Sequence, residues 1–417
     1  MLTFQNLTDT QFQNFADTHA DGNYLQTLQM RDLLKARGLT THLIGVLEDD
    51  QVVAAALMTN TAIRFGQYFQ IDGGWLGDYS NPAHVRAFLN GVDAYANVRN
   101  GLFLRITPNK IWRQFDEAGH QLADDAGYDS VIAALTTYGL AHEQVEFGWT
   151  TAASPAWQFR KDLRDITDVT ALQATYSKDV TYYLKKNKQF GIQIREIGYD
   201  ELGDFKALTQ HTADRLDYHD KDLDFYQKAF KLFGDQAHFV FAEMDFNAYI
   251  AGQNEKIAEL DAKLAKLDAQ IVEKPNHKKL PRQRAEFADQ RDQHIKRITE
   301  AQQMQQTAGQ NKVVIAGALF LETPAEMIYL YSGTYDQYKH FYGPYQVQDY
   351  MLKMAVEKSI PSYNFYGISG IFDGTDGVLK FKQGFGGLAE QKVGSFIMPI
   401  NPPKYWLYKT LKKVLGR

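Results

Sequence analysis

The sequence predicts an α/β protein (α+β in detail) made of two copies of one helix–strand unit, with a two-helix coiled-coil arm inserted in the second copy. Three observations predict it. Strand-like runs recur at a near-constant spacing: Val52 in VVAAALM matches Val313 in VVIAGALF, 261 positions on, and Gly73 in YFQIDGGW matches Gly333 in IYLYSGTY, 260 positions on. A hairpin at 41–59 turns on the short acidic stretch EDDQ. The corresponding strands at 238–245 and 312–322 are separated by a long segment with a helical apolar period.

Each copy reads as a helical start, a hairpin, a further strand, a helix and another strand. The closing helices fall at 86–99 and 345–358, and the closing strands at 102–108 and 363–369. Within 247–307, Ile250, Ile257, Leu260, Leu264, Leu267 and Ile271 follow steps of 7, 3, 4, 3 and 4, a heptad seam. KPNHKKLP (274–281) then breaks the helix with Pro275 and Pro281. A second run carries Leu280, Phe287, Ile298 and Ala301 on a looser seam, so the segment predicts an antiparallel helical hairpin. Its tip holds Lys274, Lys278, Lys279, Arg282 and Arg284 without an acid.

The expected organisation is a first unit at 1–155, a second at 156–246 and 308–395, and the arm at 247–307. The second unit starts after the loop TTAASP (150–155). The last segment, 396–417, is expected to pack on the first unit. That segment also holds Tyr405, Trp406, Leu407, Leu411, Val414 and Leu415 among five cations and no acid. Such a basic amphipathic helix suits an anionic membrane surface as well as it suits packing.

Composition removes several classes of function. The 417 residues are 44% hydrophobic, enough for ordinary globular cores. Lys and Arg number 45 against 50 Asp and Glu, so any nucleic-acid contact is local rather than spread over a basic surface. Cysteine is absent, which excludes disulfides, zinc ribbons and thiol catalysis. The first residues lack a basic and then apolar leader, and no run reaches the ~18 apolar residues of a membrane span. HExxH, GxSxG and P-loop motifs are missing, so no metal site or cofactor is expected.

Longer motifs carry a resemblance. They are YLQTLQM (24–30), THLIGV with VVAAALM (41–58), GGWLGDY (73–79), YYLKKNKQFGIQIRE (182–196), YLYSGTYDQYKHFYGPYQVQDYM (329–351), YNFYGISGIF (363–372) and VLKFKQGFGG (378–387). Over essentially its whole length the chain resembles the FemA/FemX/MurM family of peptidoglycan branch-forming aminoacyltransferases, and the arm makes it more similar to the FemA and MurM type. The resemblance implies paired GNAT-like acyltransferase units. It implies an aminoacyl-tRNA donor, and as acceptor the stem-peptide amine of a lipid-linked peptidoglycan precursor, lipid II. It also implies a cytoplasmic place of work, at the inner face of the cell membrane.

Aminolysis of an activated ester needs a deprotonated amine, a positive donor for the oxyanion and a proton for the departing ribose hydroxyl. The resemblance assigns Lys382, in the motif Phe381-Lys382-Gln383-Gly384-Phe385-Gly386, to the oxyanion and tRNA end, with Phe381 beside it. Relatives often end the first-unit strand with Asp-Pro. Thr107 precedes Pro108 here, so that acid is missing and no general base is assigned; Asp72, Asp336 and Asp349 are acids by location only. For the precursor diphosphate the resemblance points to Arg31 and Lys35 in the first unit and to Arg215 and Lys221 in the second, with Lys221 at the matching position. Tyr331, Tyr342, Tyr345 and Tyr366 flank Gly333, Gly343 and Gly367 and are expected to line a substrate groove, the glycines letting backbone approach a ligand. Lys185, Lys186 and Lys188, interleaved with Tyr182 and Tyr183, suit phosphate contact and base stacking on tRNA.

Two other readings stand beside this one. An acyl-CoA-dependent GNAT enzyme would carry a Gly-rich pyrophosphate loop where YGPYQVQ stands. A non-catalytic tRNA-binding scaffold built on the arm would be indifferent to Lys382→Ala.

Overall fold

The structure, a computed structural model, describes residues 1–122, 129–143, 145–148 and 154–414. Thr150–Ala153 of the expected inter-unit loop and Leu415 lie outside them.

The chain opens with β1 (Leu2–Asn6) and α1 (Asp9–Thr18), which Thr8 and Gln11 start with a capping box. Next come α2 (Leu28–Ala36), capped by Thr27, and the strands β2 (Thr40–Glu48), β3 (Gln51–Ile63), β4 (Gly66–Asp72) and β5 (Leu76–Gly77). α3 (Pro82–Asn97) has its proline in the first turn, where no intrahelical N–H is needed. β6 (Gly101–Thr107), β7 (Ile111–Phe115), α4 (Asp129–Tyr138) and β8 (Ala141–Glu143) follow.

Then come β9 (Trp157–Asp162), α5 (Val169–Ala174), α6 (Lys178–Phe190), β10 (Gln193–Glu196), α7 (Leu202–Leu216), α8 (Leu223–Phe233) and β11 (Ala237–Asp245). The arm is α9 (Phe246–Glu273) and α10 (Lys279–Ala308), each about 42–45 Å long at 1.5 Å per residue. β12 (Lys312–Glu322), β13 (Met327–Thr334), α11 (Gly343–Glu357), β14 (Ser362–Gly367), α12 (Gly377–Gln383), β15 (Leu388–Lys392), β16 (Ser395–Pro399) and α13 (Pro402–Val414) complete it.

Two eight-stranded sheets result. The first runs β1-β2-β3-β4-β6-β16-β8, with β5 on β3; the second runs β10-β11-β12-β13-β14-β9-β15-β7. Each has one parallel neighbour pair, β4–β6 and β13–β14, joined in each unit by a segment containing the closing helix. The sheets exchange strands. β7 belongs by sequence to the first unit but pairs with β15 at the edge of the second sheet. β16, from the chain's end, lies between β6 and β8 in the first sheet. The boundary drawn at 155 therefore does not separate the two sheets. The physical reason is that strand pairing, not chain order, sets sheet membership.

The central strands are buried on both faces. In β3, Ala55 and Leu57 face a core shared with the second unit, where they join Phe205, Leu208, Phe239 and Ile328. Ala54, Ala56 and Met58 face α3 on the other side, with Phe88 and Leu89. This two-sided burial explains the unbroken apolar run. One core thus ties the units together.

In the arm, Leu260, Leu264, Leu267 and Ala301 are buried along the seam. Arg284–Asp268 (2.6 Å) and Arg291–Asp261 (2.5 Å) lace its flanks. The turn is shorter than KPNHKKLP suggests. Pro281 is the third residue of α10, inside the first turn, where proline breaks no hydrogen bond.

Gly333 and Gly343 also differ from expectation. A Cβ on Gly333 would lie 2.5 Å from the Leu208 carbonyl oxygen of α7, and one on Gly343 2.9 Å from the Ile315 side chain. These glycines let helices approach the sheet rather than a ligand approach the backbone. Gly333→Ala is therefore expected to lower the unfolding free energy by about 1–3 kcal/mol through overpacking, read as a lower denaturant midpoint.

Candidate functional site

A cleft of about 610 Å³ lies where the two sheets meet. Its floor is built by the chain's crossings between sheets. After β6, Pro108–Lys110 leads to β7; after β15, Val393–Gly394 leads to β16. The crossings run side by side, with Val393 N donating to Lys110 O at 3.0 Å. Thr107, Pro108, Asn109, Lys392, Gly394 and Ser395 all line the cleft, and the Thr107 and Ser395 hydroxyls are 2.9 Å apart.

The first-unit wall is fixed by Asn23 and Gln26. Asn23 Nδ2 donates to Gly73 O (2.7 Å), and its Oδ1 accepts from Leu25 N (3.1 Å). Gly73 has a φ of +72°, and a Cβ there would fall 2.3 Å from Asn23 Oδ1. Gln26 accepts from Leu57 N (2.7 Å) and donates to Asp72 O (2.7 Å). Its amide takes the place of a strand where β3 lies between its β5 and β4 pairings.

The second-unit wall starts where β13 and β14 part. They pair only at Met327–Tyr363 and Ile328–Asn364. Beyond this point a register shift in β14 puts Tyr366 at a φ of +65°, held by Tyr366 N donating to Asn364 Oδ1 at 2.8 Å. The Tyr366 hydroxyl lies 3.3 Å from that of Tyr24, so the two units meet through paired phenols in the cleft wall. Burial pushes both phenols up, and Tyr331 behaves likewise beside them.

Behind this wall lies Lys382. It sits on α12, which Asp376 caps through Val378 N and Leu379 N. The residue is 4% exposed. Its Nζ donates to the carbonyl oxygens of Gly367 (2.5 Å) and Tyr366 (3.3 Å). Burial pulls its ammonium down to about 7, opposed only weakly by the Asp376 charge. A second buried lysine, Lys161, donates to Thr175 Oγ1 (2.8 Å) and Phe385 O (3.0 Å), and burial pulls it to about 8. It fixes the turn that follows α12, and no sequence motif marks it.

Buried charge nearby is treated differently. Arg160 bridges Glu326 (3.1 Å) and Glu390 (3.2 Å), and Lys392 meets Glu390 at 3.3 Å. That network is internally neutral. Lys382, by contrast, forms no ion pair among the described residues; two carbonyl oxygens hold its Nζ.

A pair of cations stands beside the phenol cluster. Arg37, at the end of α2, and Lys221, before α8, each lie 5.6 Å from the Phe225 ring centre. Neither forms an ion pair among the described residues. Lys221 is shifted down by burial and then by the Arg37 charge. The neighbouring acids are committed elsewhere: Asp220 takes Lys206 (2.8 Å), Thr209 (2.6 Å) and Tyr226 (2.7 Å), and Asp222 caps α8. Tyr331 packs 5.7 Å from Phe225 and feels both Arg37 and Tyr366. The cation pair, Tyr331 and the Tyr24–Tyr366 phenols thus lie in sequence.

A model of the FemAB family matches residues 7–413. The chain belongs to the FemAB family. The aminoacyltransferase FemA of Staphylococcus epidermidis is 32% identical over 99% of this chain and all of its own length. That of Staphylococcus aureus is 31% identical over the whole of both chains. The crystal structure of FemX superposes with a TM-score of 0.76, covering 97% of this chain and 99% of its own, at 18% identity. The fold is therefore that of FemX, and the α/β class expected from sequence holds.

This FemAB member groups the sequence-picked residues unequally. Phe381, Tyr345 and Tyr342 cluster: Phe381 and Tyr345 ring centres are 4.9 Å apart, Tyr342 and Tyr345 6.4 Å, and Tyr183 stacks on Tyr342 at 4.3 Å, while Lys382 Nζ turns to the Tyr366 and Gly367 carbonyls. Tyr366 lines the cleft; Tyr331 lies beside it, and Lys221 reaches Tyr331 through the shared Phe225 ring. Arg31 is committed to Asp9 (2.5 Å) and Asp32 (2.8 Å), and Lys35 is exposed one turn on, where its charge acts on Asp9. Arg37 is the first-unit cation that meets Lys221. Motif alignment missed it because it lies just beyond α2. Arg215 pairs with Asp336 (3.2 Å), which also holds Lys339 (2.6 Å). Asp349 is engaged by Lys353 (2.6 Å). Asp72 is half-buried, its carboxyl shifted up by desolvation and its Oδ1 unpartnered. Lys185 and Lys188 are exposed on α6, and Lys186 lies 5.4 Å from the Tyr182 ring centre. No group of three metal-ligating side chains occurs among the described residues.

The buried lysines set a pH signature. Lys382 binds its proton more weakly folded (about 7) than unfolded (10.5), so between these values the unfolded chain holds the extra proton. Stability from this group therefore rises with pH across that window. Denaturant unfolding at pH 7 and pH 9 is expected to show greater stability at pH 9. The difference should shrink in Lys382→Met, with Lys161 supplying the remainder.

Proposed function

We propose that this FemAB protein is an aminoacyltransferase of peptidoglycan bridge synthesis. It moves an amino acid from aminoacyl-tRNA to the stem-peptide amine of lipid II. The observation that carries the reading is the cleft between the units, with the Arg37–Lys221 pair at one end of its tyrosine track and Lys382 behind its wall.

Two cations without a protein anion suit a diphosphate, since guanidinium and ammonium give charge-assisted bonds to phosphate oxygens. A head group held there would direct its peptide past Tyr331 toward the Tyr24–Tyr366 phenols. On the other side of α12, the Phe381–Tyr345–Tyr183 aromatic stack leads to the lysines of α6, a surface suited to a single-stranded tRNA end.

The chemistry is an attack by the stem-peptide amine on the ester carbonyl. A C–N bond forms, the carbonyl oxygen becomes an oxyanion, and the ester C–O bond then breaks. The amine loses a proton and the ribose oxygen gains one. Protonated Lys382 has three N–H donors and places two on carbonyls, so the third is free for the oxyanion. Its value near 7 also lets it pass a proton to the leaving hydroxyl at neutral pH. Thr107 accepts no proton at this pH, so the acid of related chains has no counterpart at that position.

The test is a transfer assay. Purified protein is mixed with lipid II, total tRNA, synthetases and each labelled amino acid in turn. Label in the lipid fraction that ribonuclease abolishes is expected. Absence of label with both bare and already-extended lipid II would overturn the reading. Lys382→Ala is expected to lower turnover about 100-fold, and to remove a falling limb of kcat/KM near pH 7, because the lysine acts as its ammonium form. Lys221→Ala and Arg37→Ala are expected to raise KM for the lipid-linked acceptor about 10–100-fold each, with a smaller change in kcat.

A further inference from the structure

The C-terminal helix α13 packs by one edge only. Tyr405 and Tyr408 place their rings 5.0 and 5.9 Å from Phe103 of β6. At 100° per residue the opposite edge carries Pro403, Trp406, Leu407, Thr410 and Val414. Trp406 is 70% exposed, Leu407 42% and Val414 75%. Lys409 and Lys413 border this apolar stripe on one side and Lys404 on the other; all three are exposed. Residues 400–414 contain four lysines and no acid. Glu143, the acid whose charge reaches Tyr405, is already paired with Arg105 at 3.2 Å. No helix among the described residues is long and apolar enough to cross a membrane.

An exposed tryptophan and aliphatic stripe bordered by lysines is costly in water and suits the boundary between head groups and acyl chains. The charge singles out an anionic partner. The position adds a second reason. Phe103, Arg105 and Thr107 alternate onto one face of β6, and Arg105 and Thr107 line the cleft. At about 3.3 Å per residue the helix seat is within ~15 Å of the cleft floor.

We propose that the outer face of α13 docks on an anionic phospholipid bilayer and presents the cleft to it. The purpose rests on the lipid-linked acceptor proposed above; the docking itself rests on α13. A helix lying in the bilayer surface beside the cleft lets a head group reach the phenol track while its lipid tail stays in the membrane. Trp406 inserts among the acyl chains, and the lysines meet lipid phosphates.

The test uses the full chain and sucrose-loaded vesicles of phosphatidylcholine alone or with 40% phosphatidylglycerol, spun down and quantified. The wild type is expected to sediment with the anionic vesicles and remain in solution with the neutral ones. Each surface lysine contributes about fivefold to partition, so Lys409→Gln with Lys413→Gln should weaken binding about 30-fold. Trp406→Ala should weaken it at least tenfold. Unchanged thermal unfolding of these exposed-residue variants checks that they fold. A wild type that ignores anionic vesicles, or variants that bind as it does, overturns the docking. Transfer to lipid II dispersed in detergent separates the two proposals. If transfer succeeds there while vesicle binding fails, only the docking falls. If vesicles bind but transfer fails there, only the aminoacyltransfer reading falls.

Discussion

Everything in this structure depends on two strands sitting in the wrong halves of the chain. β7 closes the edge of the second sheet, and β16 fills the first sheet between β6 and β8. The peptide that carries each strand across must run through the seam between the sheets. Those crossings, hydrogen-bonded to each other, become the floor of the cleft. The shared core of Leu57, Phe205, Leu208 and Ile328 follows from the same exchange, because sheets tied at two points cannot present separate apolar faces to water. Loops hydrogen-bonded to each other and anchored at both ends in sheets are held more precisely than free surface loops.

Charge is distributed by the same logic. Where the fold needs buried charge it balances it, as in Arg160, Glu326, Glu390 and Lys392. An unmatched ion in such a place would cost several kcal/mol. Lys382 and Lys161 break that rule: each is buried and rests on carbonyl or hydroxyl oxygens rather than in an ion pair. Arg37 and Lys221, nearer the surface at a tyrosine cluster, also form no ion pair among the described residues. In the reading proposed above, Lys382 and the Arg37–Lys221 pair meet charge supplied by a transition state and by a ligand. In that reading the Tyr24 and Tyr366 phenols, 3.3 Å apart, orient the peptide without competing for the phosphate.

Much of this was legible in the sequence, because much of it is local. The repeat spacing, the heptad seam and the Phe-Lys-Gln-Gly-Phe-Gly motif each rest on residues close in the chain. The duplicated order, the arm and the α12 lysine follow from them. The strand exchange was not legible. Strand runs carry a period but no address, and the partner of Phe396 in β16 is Ile106, far away in the chain. Arg37 was missed because α2 and the residue after it carry three cations within seven residues, and only the docking of α8 distinguishes the one facing Phe225 from those facing Asp9. Gly333 and Gly343 misled because a glycine beside tyrosines looks the same whether it admits a ligand or a helix. Pro281 looked like a breaker because proline is silent about whether it ends a turn or starts a helix.

The late position of β16 also governs how the protein is made. The hydroxyls of Thr107 and Ser395 that touch in the cleft are 288 residues apart. At ribosomal speeds of about 5–20 residues per second, the β6 edge waits roughly 15–60 seconds for its partner to be synthesised. During that interval the nascent chain carries an open strand edge, the feature most prone to pairing with a stranger. The two copies of the unit, whatever their origin, have since lost the freedom to be separated: cutting the gene between them would leave each half with a sheet that only the other half can finish.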